Sequence, residues 1–243
     1  MSSSSKQIDE FKISLKMIVE ATNNFKNLIG EGGFGKVYKG NLLQPSGERI
    51  EIAARKLHGH YGQGELEFQH EINMLSALKH DNLVSFIGYC DEEEKIIITK
   101  YEANASLKTH LDNSNLGWTE RLQICVGIAR ALSYIHYDEG HDLSVIHRNI
   151  KSSKVLLDDN WEPKLSGFGI SLKNTKPRRH RYLLAEVMGT IGYVDPTYEK
   201  TGFVTHKSDV FSFGVLLLEV LCGKKAFEPD EQDQGSTEVV KQD

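Results

Sequence analysis

The first hundred residues alternate between short β-branched or aromatic runs and turn residues. Phe34–Lys39, Ile50–Leu57, Leu83–Cys90 and Lys95–Tyr101 read as strands, because such side chains fit a pleated, half-buried surface. One helical pattern interrupts them. Within Glu65–Lys79, Phe68, Ile72 and Leu75 fall at i, i+4 and i+7 and make one apolar face. Further along, the period lengthens. Thr119 is placed to cap a helix reaching about His136, with Leu122, Cys125, Ile128, Leu132 and Ile135 on one side. Thr205 is placed to cap another that reaches about Cys222. That helix is apolar almost all round, which predicts a central, buried position. The order is a strand-rich lobe with one helix, then a helical lobe, an α+β arrangement.

Composition narrows the class without fixing it. The 243 residues carry a net charge of -5, with 39% apolar and 26% charged residues, ordinary values for a globular chain. Mild acidity gives no reason to expect nucleic-acid binding. Cys90, Cys125 and Cys222 are widely spaced and lack metal-type spacing, so they read as reduced thiols. The serine-rich start has no apolar signal region. The longest apolar run, Val210–Cys222, is too short to span a bilayer and contains Glu219. These features predict a chain with no transmembrane segment.

Chemistry enters with the stretch Gly30-Glu-Gly32-Gly-Phe-Gly35-Lys-Val37 between two strand-like runs. Glycines there let the backbone approach phosphates with its N–H groups pointing inward. A dinucleotide fingerprint would be followed by a helix; here Val37–Gly40 reads as a strand, which excludes that reading.

Ordered motifs from about Leu28 to Phe227 then carry a family resemblance. Ala21-Thr-Asn-Asn-Phe25, Gly30–Gly40, Asn82–Cys90, Arg121–His136, Gly189-Thr-Ile-Gly-Tyr193 and Lys207–Gly214 resemble the protein-kinase family, and within it the plant receptor-like kinases of the Pelle group. The resemblance implies a bilobal α+β fold with an antiparallel N-lobe sheet and a helical C-lobe. It divides the chain into an N-terminal flanking segment (1–24), an N-lobe (25–103), a C-lobe (104–227) and an acidic disordered tail (228–243). Asp243 follows Cys222 too closely for three further helices of ordinary length, so the C-lobe is expected to be incomplete. The apolar helix ending at Cys222 is then expected to expose a patch that a partner covers or that lowers stability.

An active kinase needs a β3 lysine paired with a helix glutamate, a catalytic-loop aspartate as base, and an asparagine and an aspartate on Mg²⁺. By position these are Arg55 in Ile52-Ala53-Ala54-Arg55, with Glu71 kept as its partner; Asn149 in His147-Arg148-Asn149-Ile-Lys151-Ser-Ser-Lys154; Lys154 itself; and Gly167 in Gly167-Phe168-Gly169. Lys151 is retained. A guanidinium pairs well with carboxylate but does not replace a point charge between phosphates. An amide has no useful basicity. A cation and a bare glycine stand where magnesium wants oxygen ligands. No metal site is therefore expected.

What the resemblance keeps is a nucleotide wall. Gly30, Gly32, Gly35, Val37, Ala53 and Leu156 would surround ATP, with Thr99 as gatekeeper and Tyr101 in the hinge. Phe86, Leu75, Phe168 and His147 would form a hydrophobic column, and Asp209 would anchor the catalytic-loop backbone. The plain reading of these residues is packing. The sharper one is ATP binding without Mg²⁺, with Lys154 and Arg55 neutralising the phosphates. Lys173–Arg181 is a basic loop, either solvated or a dock for an acidic or phosphorylated partner. Thr190 and Tyr193 are candidate phosphorylation sites. Thr197 stands where relatives carry a structural glutamate. The expected role is a pseudokinase scaffold or decoy for an active kinase or an immune-type receptor, cytoplasmic and recruited to the plasma membrane. The rival readings are a weak serine/threonine kinase and a non-functional fragment.

Overall fold

The computed structural model describes residues 8–32, 35–58, 63–137, 143–175 and 182–226. Gly33, Phe34, most of the basic loop and the acidic tail lie outside them. Two compact units emerge: residues 1–79 with 84–102, and residues 80–83 with 103–243.

The first unit is built on a five-stranded antiparallel sheet. Its strands are β1 (Leu28–Gly32), β2 (Gly35–Leu43), β3 (Arg49–Lys56), β4 (Phe86–Cys90) and β5 (Ile96–Lys100), in the order β1-β2-β3-β5-β4. All four strand runs expected from the pattern contain a strand, each trimmed or shifted by a few residues. The helix over Gln63–Ala77 also matches, with Phe68 and Ile72 fully buried and Leu75 nearly so.

A helix that the pattern did not anticipate precedes the sheet. We label it α1 (Leu15–Ala21) and the Gln63–Ala77 helix α2. Ser14 caps α1 through the Met17 amide. Ile18 is fully buried in a cluster with Leu42, Ile52, Ala54, Cys90, Ile96 and Ile98. Just before α1, the chain runs beside the edge strand β4: Ile13 N–H donates to Tyr89 O (2.8 Å) and Tyr89 N–H to Phe11 O (3.0 Å). Two glycines make this possible. A Cβ on Gly88 would lie 2.5 Å from Phe11 O, and one on Gly40 would lie 2.7 Å from Ala21 O. The segment thus satisfies the open backbone groups of an edge strand and closes the core over its outer face.

The second unit is mainly helical. Its long elements are α3 (Trp118–Tyr137) and, after a short α4 (Pro196–Thr201), α5 (His206–Cys222). Thr119 lies inside the first turn of α3 rather than capping it. Thr205 does cap α5, accepting from Lys207 N–H within a capping box closed by Ser208. Between the helices lie β6 (Leu143–Ile146) paired with β9 (Leu172–Thr175), β7 (Val155–Leu157) paired with β8 (Pro163–Leu165), and β10 (Leu183–Leu184) paired with β11 (Phe203–Val204).

Arg121 ties α3 to the far end of α5. Its guanidinium donates to Val220 O (2.8 Å), Leu111 O (2.8 Å) and Asn113 O (3.1 Å), and Nε to Leu116 O (2.9 Å). A cation at the carbonyl end of a helix also opposes its dipole. The all-round apolar pattern predicts α5 buried on every side, and the incomplete C-lobe predicts an exposed patch; the patch is present. Leu216, Glu219 and Val220 are buried, whereas Val210, Phe211, Leu218 and Leu221 are exposed.

Because Ile18 belongs to the sheet's core, Ile18→Ala should cost about 2–5 kcal/mol. Urea unfolding of the purified chain checks this. An unchanged midpoint would mean that the N-terminal segment stands outside the cooperative unit.

Candidate functional site

In the first unit, strand register gathers several of the sequence-predicted residues. Val37 lies opposite Arg55, Lys39 opposite Ala53, and Ala53 opposite Thr99. Cross-strand partners share a face, and alternate residues return to it. Val37, Ala53, Arg55 and Thr99 therefore line one face of the sheet. Arg55 Nη2 meets Glu71 Oε2 at 2.5 Å, with both side chains mostly buried. The pair survives with a guanidinium in place of the ammonium. Lys56 cannot substitute, because it faces the other way and its Nζ pairs with Glu94 at 2.8 Å. Tyr101 N–H donates to Glu51 O (3.1 Å), and Lys39 Nζ lies 3.9 Å from the Tyr101 ring centre.

Of the glycines, Gly35 is dictated by geometry: φ is +128° and a Cβ would sit 2.1 Å from Lys56 O. Gly32 has open space around it, and Gly30 only ordinary contact with Val37. Openness of this kind lets a ligand approach the backbone. Leu75 is buried and Phe86 half-buried in the same unit.

The second unit assembles the catalytic-loop positions around Asp209. This carboxylate is fully buried in the first turn of α5. Its Oδ2 accepts from His147 N–H (2.7 Å) and His136 Nε2 (2.8 Å), and Oδ1 accepts from Arg148 N–H (2.8 Å). Burial alone would raise its pKa. The hydrogen bonds from His136 and the His147 amide, with the two imidazoles' electrostatic contribution, together outweigh that and hold it below the usual carboxylate range. Arg148 adopts φ +66°, a conformation that costs energy for a non-glycine residue. Its side chain donates to Ile170 O (2.6 Å), Glu186 O (3.1 Å) and Tyr198 Oη (3.1 Å). His147 packs edge-on against Phe168, with ring centres 4.7 Å apart.

Asn149 is buried, and its Oδ1 accepts the Thr190 hydroxyl at 2.9 Å. An amide already engaged in this way has no lone pair of useful basicity to offer an incoming hydroxyl. Lys151 is half-buried and opens a short 3₁₀ turn, Ser152–Lys154. Lys154 O accepts from both Ser166 N–H (2.8 Å) and Ser166 Oγ (2.9 Å). These bonds lay the Lys154 side chain against the next residue, Gly167. A Cβ at Gly167 would meet Lys154 Cδ at 2.8 Å and Cε at 3.2 Å. The lysine's methylenes fill the space that a side chain at Gly167 would need. Leu156 lies on β7, half-buried.

This donor set does not fit a magnesium ion. Among the described residues no three His, Cys, Asp or Glu side chains converge on a point. At the two positions the resemblance assigns to the metal stand a cation and a glycine, which offer magnesium no side-chain oxygen. The glycine loop and the sheet face of Val37 and Ala53, by contrast, are compatible with a nucleotide.

Thr190 and Tyr193 stand differently from the expectation that either is open to modification. Both are buried. Thr190 donates to Asn149, and Tyr193 Oη donates to Glu219 Oε1. Burial, and then the bond to Glu219, push the Tyr193 phenol well above its ordinary range. Either hydroxyl is reached only when the segment opens. Thr197 is exposed beside Asp195, which caps α4. Lys173 and Asn174 lie on β9; residues 176–181 of the basic loop fall outside the described set.

The signals missed in the sequence are the N-terminal segment's docking, the Thr190–Asn149 bond and the fit of Lys154 over Gly167. Gly88 and Gly40, placed within strand runs with no turn to explain them, were the available hint of a close backbone approach.

Comparison with known proteins agrees with the motif order. The family model described as protein tyrosine and serine/threonine kinase matches residues 23–243. Three receptor-like protein kinases of Arabidopsis thaliana are similar to this chain. THESEUS 1 is 44% identical across 87% of it, HERK 1 is 43% identical across 90%, and FERONIA is 42% identical across 89%. The chain spans about a quarter of the length of these curated relatives, between 24% and 26%.

Gly167 adopts φ +88°, so Gly167→Asp is strained whatever surrounds it, and Lys154→Asn should relieve only the part that the lysine methylenes add. A double-mutant cycle on melting temperature should give a coupling of about 1 kcal/mol. Additive effects would mean that the two positions do not share this space. Separately, Asp209's folded pKa lies below its unfolded value near about 4. Its stabilisation is complete above that pH and is lost as pH falls through the folded pKa. Urea stability should therefore decline between about pH 5 and 2 less steeply in Asp209→Asn than in the native chain.

Proposed function

The chain belongs to the protein tyrosine and serine/threonine kinase family, and from that premise we propose that it is a pseudokinase of the receptor-like type, signalling by binding rather than by phosphoryl transfer. The observation that carries this reading is Lys154 lying across Gly167. In active relatives the equivalent positions grip Mg²⁺ and neutralise the charge that develops on the transferred phosphoryl group. Here an ammonium-bearing side chain takes one position, and its methylenes lie over the other, a glycine with no side-chain oxygen to offer.

The losses compound. Asn149 offers no base, and its oxygen is spent on Thr190. Arg55 keeps Glu71 but brings a broad, planar cation in place of a point charge. Each part is commonly worth powers of ten in rate, and the parts act as one unit.

Metal-independent nucleotide binding is the second element of the proposal. The glycine loop of the first unit keeps the open backbone that approaches phosphates, and Val37 and Ala53 share a sheet face suited to a planar base. Positive charge at Arg55, on the same sheet face as Val37 and Ala53, would stand in for the divalent ion. ATP would then act as a structural ligand that favours one conformation of the domain. The biological role that follows is a scaffold or decoy engaging an active kinase or a receptor on the cytoplasmic side of the membrane. None of the described helices is long and apolar enough to cross a bilayer, so membrane recruitment would run through a partner or through chain beyond this segment.

Two measurements test the reading. In a thermal melt, ATP should raise the midpoint equally in EDTA and in Mg²⁺, as expected of a ligand that binds only the folded state. With radiolabelled ATP and Mg²⁺, the chain should label neither itself nor a generic protein substrate. Turnover that disappears in Asn149→Ala would establish the alternative, a working kinase with a rearranged site. No thermal shift in either buffer would remove the nucleotide from the proposal.

A further inference from the structure

Antiparallel register lines up Val37, Arg55, Ile97 and Tyr89 as one row across β2, β3, β5 and β4. Members of such a row share a face of the sheet. Helix α2 packs on that face. Its Glu71 meets Arg55 at 2.5 Å, and its Phe68 stands edge-on to the Tyr89 ring, with centres 6.2 Å apart. Phe68 is fully buried and lies one helical turn before Glu71. The helix that carries the carboxylate therefore rests on Tyr89 at one point of the row and pairs with Arg55 at another.

Tyr89 is the outermost member of the row, on an edge strand whose register shifts between Phe86 and Gly88. A bulge bends its strand and re-aims the side chains beside it, so the place of Tyr89 depends on what holds the edge. The N-terminal segment holds it. Tyr89 N–H donates to Phe11 O (3.0 Å), and Tyr89 O accepts from Ile13 N–H (2.8 Å). Lys12 Nζ reaches Asp91 at 2.6 Å, and Leu15 N–H donates to Glu92 Oε2 at 3.1 Å, which ties the same segment to the turn after β4. The Phe11 ring packs on Phe86, with centres 5.3 Å apart, and Phe86 lies opposite Thr99 in the row that also holds Ala53. The seat is cut for a close backbone: a Cβ on Gly88 would stand 2.5 Å from Phe11 O and 2.6 Å from Ile13 Cδ1. All of these residues belong to the first unit.

We propose that the N-terminal segment Phe11–Ile13 is a positioning element for the Arg55–Glu71 pair, acting through Tyr89 and Phe68, so that its seating on the β4 edge sets how firmly Arg55 is held toward a bound anion. The anion part rests on the nucleotide reading given above; the positioning part does not. Close-packed side chains transmit a displacement from one to the next. When the segment lifts, the bulged edge relaxes, the Tyr89 ring withdraws from Phe68, and the turn of α2 that carries Glu71 loses its support. Tyr89 and Phe68 are thus positioning residues that touch no ligand. Chain upstream of Phe11, or a partner that draws on it, would gain a handle on the site without entering it.

The test uses the full chain. Gly88→Ala places a methyl against Phe11 O and leaves Tyr89, Phe68, Glu71 and Arg55 unchanged. Amide exchange followed by NMR should quicken about tenfold at Ile13 and through α2, and by less than about twofold in β2, β3 and α3. The Arg55 guanidinium signal, assigned by its loss in Arg55→Lys, should move toward that of a free arginine. Tyr89→Ala, which keeps the backbone bonds to the segment, should loosen α2 while Ile13 stays protected, and Tyr89→Phe should match the native chain. The midpoint shift that ATP gives in EDTA should fall by more than half in Gly88→Ala. An unchanged Ile13 amide in Gly88→Ala, a native-like α2 or Arg55 signal once Ile13 is released, or a native-like α2 in Tyr89→Ala overturns the proposal. Equal acceleration of α2, β2 and β3 also overturns it, because it would make the segment a source of general stability only. Absence of any ATP shift in the native chain would remove the nucleotide reading instead, and the exchange pattern and the Arg55 signal would still decide the positioning.

Discussion

Asp209 is a fully buried carboxylate at the start of α5, and donors from α3 and from the loop after β6 converge on it. An ionised group in such a place is tolerable only when each oxygen is satisfied. His136 and the amides of His147 and Arg148 do this, and the first-turn position places the charge at the favourable end of the helix dipole. The consequence is geometric. Arg148 is held at φ +66°, which aims its guanidinium at the carbonyls of Ile170 and Glu186 and sets the backbone on which Asn149 and Lys151 sit. The loop keeps its shape because of a residue that takes no part in phosphate chemistry.

That separation explains how the chain stays folded with its reactive groups replaced. The Arg55–Glu71 pair is a larger version of the family's ion pair, and a guanidinium fulfils the structural half of the role at 2.5 Å. Asn149 exchanges a charged acceptor for a neutral one and keeps the Thr190 bond. Neither change leaves a buried donor or acceptor without a partner, which is the condition that makes polar substitutions costly. Selection for stability alone would tolerate both.

Much of this was legible in the sequence where local pattern decides structure. The strand runs and α2 followed from β-branched runs between turn residues and from Phe68, Ile72 and Leu75, and the Thr205 cap from a threonine set just before the apolar helix pattern. The α1 segment was not legible, because Ile18 alone carries its burial and the core it fills belongs to the sheet. The start of α3 was misplaced by one signal, Thr119, since a threonine one residue inside a helix resembles one at its cap. The exposure of Val210, Phe211, Leu218 and Leu221 was legible from the short chain after Cys222 rather than from the all-round apolar pattern: periodicity reports what a helix could bury, and only packing reports what it does. At the candidate site, the identity of each replaced residue was visible from the motifs. Their mutual fit was not, because Lys154 and Gly167 are brought together by Ser166 bonding to the Lys154 carbonyl.

The pairing of Lys154 with Gly167 also constrains how such a site arises and how it reverts. An aspartate at Gly167 beside the present Lys154 would meet its methylenes at 2.8 Å, and its carboxylate would be drawn to the ammonium rather than to a metal. An asparagine at Lys154 beside the present Gly167 would leave a hole and a single weak oxygen ligand, too little to dehydrate magnesium. Neither single change restores both oxygen ligands that the family's pattern supplies to magnesium. Two changes that look like independent losses in the sequence are one packed unit in the fold. The two positions are neighbours in the fold, so a change at either one is felt at the other.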